Sequence, residues 1–106
     1  MKIKKNDPIL MSMERLEMNL HKLKQIGPHG NANSLWETAG HIWGATYWIC
    51  ELTKDAKLIN DAWNIRLALS HIIGKNHHID GDLSTFDIAI LKITESCKKI
   101  EARVTY

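Results

Sequence analysis

The sequence predicts an all-α fold: a small up-and-down bundle of about four helices in one domain of 106 residues. Three observations carry that expectation. Four stretches repeat an apolar residue every three to four positions, which lays one apolar stripe along a helix. Turn and capping residues separate most of these stretches. No apolar–polar alternation of the strand type survives for long.

The first helix is expected to begin at Asp7, whose carboxylate can accept free backbone amides. Pro8 suits the first turn because its missing N–H has no partner there anyway. Ile9, Met13, Leu16, Leu20 and Leu23 form its seam, and Gly27 with Pro28 ends it. Met11 and Met18 fall off that seam, seven apart, as a second small apolar strip.

Ser34 with Glu37 makes a capping-box pattern for the second helix, a feature that contributes about 1 kcal/mol. Leu35, Ala39, Ile42 and Ile49 mark one side of this helix, and Trp36, Trp43, Tyr47 and Cys50 mark another. Apolar nearly all round, it is expected to be the most buried element. Gly40 and Gly44 are four apart, so a neighbouring backbone is expected to approach closely there. An interior glycine costs about 1 kcal/mol relative to alanine, which packing should offset.

Thr53 to Asp55 holds neither glycine nor proline, yet the stripe changes phase across it. A break is therefore favoured over one continuous helix. The third helix carries Leu58, Ala62, Ile65, Leu69 and Ile72, and Gly74 stops it. After a polar hinge from Lys75 to Asp82, a cap at Asp82 or Ser84 starts the fourth helix. That helix bears Phe86, Ile90, Ile93, Cys97, Ile100 and Val104 and runs to about Arg103.

Hydrophobic and charged fractions of 44% and 25% are ordinary for a soluble globule. A net charge of +2 is too small to argue for nucleic acid by itself and does not argue against it. Cys50 and Cys97 both sit within helical patterns and read as reduced core thiols. The basic first residues are not followed by an uninterrupted apolar run, as a signal peptide requires. The most apolar segment, Thr38 to Cys50, is too short to cross a bilayer. The expectation is a cytoplasmic protein without membrane contact. Abundant isoleucine, lysine and asparagine with a single valine, Val104, fit AT-rich coding, as in some bacteria, phages and mobile elements.

Four constellations bear on chemistry. Arg66-Leu67-Ala68-Leu69-Ser70-His71 resembles the R-x4–6-H motif of HEPN domains, helical proteins that include metal-independent ribonucleases. The resemblance implies that Arg66 stabilises phosphate charge and that His71 acts as general acid or base on a ribose 2′-hydroxyl, two such pairs meeting in a dimer. Leu67 stands where such motifs usually carry a polar residue. Without that resemblance, Arg66 reads as lying along the bundle surface and His71 as sitting near the negative pole of a helix end.

His77, His78, Asp80 and Asp82 are good metal-ligand types in the hinge. The calcium-loop template fails at Thr85 and Leu91, and zinc would need a ligand imported from His29 or His71. The fragment around His41, Gly40 to Trp43, resembles the metal-histidine helix of DinB-like bundles. The second histidine pair of that family is missing, so His41 reads as a core or interface histidine. No metal and no cofactor is expected.

The last constellation is aromatic: Trp36, Trp43, Tyr47, Trp48 and Trp63 are many large rings for so small a core. Tryptophan concentrates at interface hot spots. The leading expectation is a small intracellular, non-enzymatic regulator or inhibitor that binds another protein and forms a homodimer. Its candidate partner-binding residues are Met11, Met18, Trp36, Trp43 and Trp48. The second is a HEPN-like ribonuclease, or its inactive relative, using Arg66 and His71; the third is a metal-binding helical bundle.

Overall fold

Stop and start signals set the helix boundaries of the computed structural model, which describes residues 8–27, 30–72 and 83–104. Four helices follow one another: α1 (Pro8–Ile26), α2 (Ala32–Leu52), α3 (Ala56–Ile72) and α4 (Leu83–Val104). Among the described residues there is no strand. α1 opens at Pro8 and closes at Gly27, whose φ of +74° is a left-handed value that favours glycine. The Gly27 N–H donates to the Leu23 carbonyl at 3.1 Å, which satisfies one carbonyl of the last turn. The Asp7 cap lies outside the described residues.

α2 begins earlier than its capping-box pattern implies. Asn31 is the N-cap, and its side-chain oxygen accepts from the Ser34 N–H at 3.1 Å. Asn31 and Ser34 are both good caps, but the upstream one brings three more residues into the helix with their backbone bonds. The break after α2 is where the phase change places it. Thr53 is extended (φ −125°, ψ 154°), and its hydroxyl accepts from the Asp55 N–H at 3.1 Å. The Asp55 carboxylate accepts from the Lys57 N–H at 2.9 Å and so caps α3. The hinge, with Gly74 and the expected Asp82 cap, lies outside the described residues, as does the Ser84 side chain.

The helices pack in a ring, each against its neighbours in sequence and α1 against α4, and among the described residues neither diagonal pair brings its backbones together. Short connections between extensively packed helices make α1, α2 and α3 alternate in direction. α4 alternates too: Arg103 near its end reaches Asp55 and Asp61 at the start of α3, at 3.9 and 4.0 Å. The α1/α2 and α3/α4 hairpins are closely packed, and the two seams that join them, α2/α3 and α1/α4, are looser.

Each helix gives its expected stripe to one core, with Ile90 partly buried and the Ile72 and Val104 side chains outside the described residues. Leu16 and Leu23, Ile42 and Ile49, Ile65 and Leu69, and Ile93 and Ile100 are almost wholly buried. Such a side chain contributes about 1.5–3 kcal/mol by leaving water. Cys97 sits in this core, where burial pushes its thiol up to about 12.

α2 is not the most enclosed element. Its Leu35-to-Ile49 side is buried, while Trp36, Trp43, Tyr47 and Trp48 stand close to half exposed. In a ring of four, every helix keeps a solvent side, and the solvent side of α2 carries large rings and only two charged residues, Glu37 and Glu51. No described helix is long and apolar enough to cross a membrane.

Candidate functional site

The α2/α3 seam holds the most unusual group of side chains. On α2, steps of four, three and four residues place Trp36, Gly40, Trp43 and Tyr47 along one stripe beside the core stripe. Trp63 on α3 meets that stripe through Arg66, because the chain reverses at residues 53–55. The four rings of Trp36, Trp43, Tyr47 and Trp63 remain 46–53% exposed.

Arg66 lies at the centre of this group. It is not on the bundle surface: only 8% of it is exposed. Its guanidinium carbon sits 4.8 Å from the Trp63 ring centroid, 5.0 Å from that of Trp43 and 5.9 Å from that of Tyr47. Its Nε–H donates to the Thr46 hydroxyl at 3.0 Å, and that hydroxyl donates to the Trp43 carbonyl at 2.6 Å. The backbone of Trp43 and the cation beneath its ring are thus tied through one threonine.

No described carboxylate pairs with Arg66. The carboxylates of Asp55 and Asp61 pair instead with Arg103. One terminal nitrogen, Nη2, is buried and has no hydrogen-bond partner among the described residues. Guanidinium stays protonated, so its charge cannot be shed to relieve burial. Ring faces supply the compensation, at about 0.5–2 kcal/mol each. The reciprocal effect holds the rings: their inner surfaces cover the cation while about half of each ring stays in water.

The clamp holds no activated nucleophile. A guanidinium is no proton-transfer group at neutral pH. Burial raises the nearby Cys50 thiol, an effect that the Arg66 charge only partly opposes, so Cys50 is not an activated nucleophile. A phosphate would have to displace the rings to reach Arg66, as the HEPN-like reading requires, and the His71 side chain lies outside the described residues.

The five candidate partner-binding residues are all exposed but do not form one patch. Trp36 and Trp43 belong to the aromatic stripe. Trp48 adjoins it edge-on, its ring 5.8 Å from Tyr47 at 78°. Met11 and Met18 lie on the side of α1 turned away from Leu16 and Leu20, and α1 and α3 are not neighbours in the ring. They form a separate strip. Sequence reasoning places neither Trp63 nor Arg66 among the partner-binding residues. Folding α3 back along α2 from the turn at 53–55 is the signal that could have joined them to the set.

Beside the stripe opens a cleft of about 670 Å³, walled by Trp36 and Trp43, floored by Ala39, Gly40 and Leu69, and edged by Glu37, His41 and Ser70. His41 is exposed rather than in the core, 3.9 Å from the Glu37 carboxylate. The two α2 glycines have no close neighbour: a Cβ on Gly40 or Gly44 would meet no described atom within 4 Å. Among the described residues the close backbone approach expected there does not occur, because α1 and α3 pack on other sides of α2.

Among the described residues, no three histidine, cysteine, aspartate or glutamate side chains converge as a metal site. The candidate ligands His29, His77, His78, Asp80 and Asp82, and the side chain of His71, lie outside the described residues. The chain matches no family model, and neither the curated proteins nor the solved structures contain a match to it.

Proposed function

We propose that this chain is a non-enzymatic regulator that acts by binding protein through the aromatic face of α2 and α3. The observation that carries this reading is the clamp at Arg66. Three rings sit on one buried cation, so their outer halves are held in place before any partner arrives. Tryptophan, tyrosine and arginine are the residue types that dominate interface hot spots. Rings ordered in advance lose little entropy on binding, so more of the contact energy appears as affinity. Two free thiols, neither activated, fit a reducing intracellular compartment.

The test is capture from a lysate of the native host on immobilised full-length chain, beside Trp36→Ala, Trp63→Ala and Met18→Ala variants. Discrete proteins held by the wild type and by Met18→Ala, and lost in both tryptophan variants, are the expected result. Equal capture by all four chains contradicts it. RNA incubated with the pure protein should remain intact; cleavage abolished by Arg66→Ala would favour the ribonuclease reading instead.

A further inference from the structure

The aromatic stripe has the symmetry of its own complement. Read along α2, its members are large, small, large, large: Trp36, Gly40, Trp43 and Tyr47. The steps between them, four, three and four, are the same in both directions. A two-fold axis perpendicular to this face reverses the helix and, with the second copy laid against the first, keeps stripe against stripe. It sets Trp36 opposite Tyr47 of the second copy and Trp43 opposite Gly40 of the second copy. Every large ring then meets either another ring or the open space above a glycine.

We propose that the protein which occupies this face is a second copy of this chain, with the two α2 helices antiparallel and Trp43 of each seated in the cleft over Gly40 of the other. The proposal rests on the reading of the aromatic face as a protein-binding surface and names its partner. The space required is present. The cleft measures about 670 Å³, and nothing described within the subunit comes within 4 Å of a Cβ at Gly40. Glycine weakens a helix interior, and no described residue of the subunit uses the room it leaves.

The exposed rings supply more than half of the area that a standard interface takes. Five rings near half exposure (Trp36, Trp43, Tyr47, Trp48 and Trp63) offer about 100 Å² each, or about 500 Å² per subunit. A standard interface takes about 800 Å² from each partner, and the helix backbone around the glycines supplies part of the remainder. Charge does not oppose the pairing. α2 has no lysine or arginine, and in this register neither Glu37 nor Glu51 meets an acidic residue of the other copy. The pairing is isologous and therefore closes on itself as a dimer. Any other partner of this face must compete with the second copy.

Sedimentation equilibrium of the full chain, at concentrations from below one micromolar to several hundred, tests the proposal with Gly40→Leu as the principal variant. The leucine side chain starts in open space, so the subunit keeps its helical circular dichroism and its thermal midpoint does not fall. The expected result is a wild-type dimer whose dissociation constant rises at least tenfold in Gly40→Leu and in Trp36→Ala. A wild type that stays monomeric throughout overturns the proposal, and so does a dimer that Gly40→Leu leaves intact. If the monomeric wild type still captures a host protein that Trp36→Ala does not, the aromatic face binds protein and only the identification of its partner as a second copy is wrong.

Discussion

α2 and α4 are of nearly equal length, 21 and 22 residues, and solve the same packing problem with opposite surfaces. α4 carries seven charged residues outside its apolar stripe, and its buried residues follow that stripe. α2 carries two, Glu37 and Glu51, and its apolar residues far exceed what its core side can take. The excess does not deepen the core. It goes to a half-wet face built around Arg66. The period of the apolar residues determines which side of a helix is buried, while their surplus over that period marks a surface with another use.

The largest effects are expected in the core, where the two helices should be equivalent. Ile42→Ala in α2 and Ile93→Ala in α4 each remove a fully buried side chain, and each should cost about 2–5 kcal/mol in urea unfolding. A loss from Ile42→Ala well under 1 kcal/mol would mean that α2 packs loosely on its core side too.

The second prediction separates a buried group of the α4 core from the aromatic face. The Cys97 thiol is raised from near 9 to about 12, chiefly by burial. The unfolded chain ionises first, so the stability tied to this group is complete below pH 9. It is lost as pH rises from 9 through about 12, at a slope of up to about 1.4 kcal/mol per pH unit. Wild type should therefore lose stability faster over that range than Cys97→Ala, which has no thiol to ionise. Parallel curves would show that the thiol is accessible to water.

A third prediction concerns the aromatic face itself. Arg66→Ala removes the cation and the packing of its stem, and should lower stability by about 2 kcal/mol. Arg66→Met keeps the bulk and leaves no unpaired buried charge, so its stability should fall within about 1 kcal/mol of wild type. If both variants lose the same amount, the charge itself is what holds the rings. The smallest effect belongs to Gly40→Ala, which should stabilise the separate subunit by about 0.5–1 kcal/mol in dilute thermal unfolding, because its Cβ enters open space.

The core was legible in the sequence because burial repeats with the helical period. Leu16, Ile42, Ile65 and Ile93 announce themselves by their neighbours three and four residues away. The break at 53–55 was legible for the same reason, as a change of phase without glycine or proline. The start of α2 was not, since Asn31 and Ser34 carry equivalent capping chemistry and only the first in line is used. The position of Arg66 was least legible. It depends on Thr46, twenty residues away, and on rings contributed by two helices. Within its own helix Arg66 follows the core residue Ile65 and precedes the exposed Leu67, a spacing that fits a surface arginine equally well. The glycines misled because local sequence shows that room is left beside a helix without showing whether the same chain fills it.

Everything proposed for the aromatic face depends on a guanidinium withdrawn from water beneath the rings of Trp43, Tyr47 and Trp63. Nitrogen-15 NMR of the arginine Nε–H groups observes this directly, with the exposed Arg15 as an internal reference. The Arg66 resonance should be displaced by ring currents and exchange with solvent far more slowly than that of Arg15. An Arg66 signal at the ordinary arginine position, exchanging as fast as Arg15, would contradict the claim.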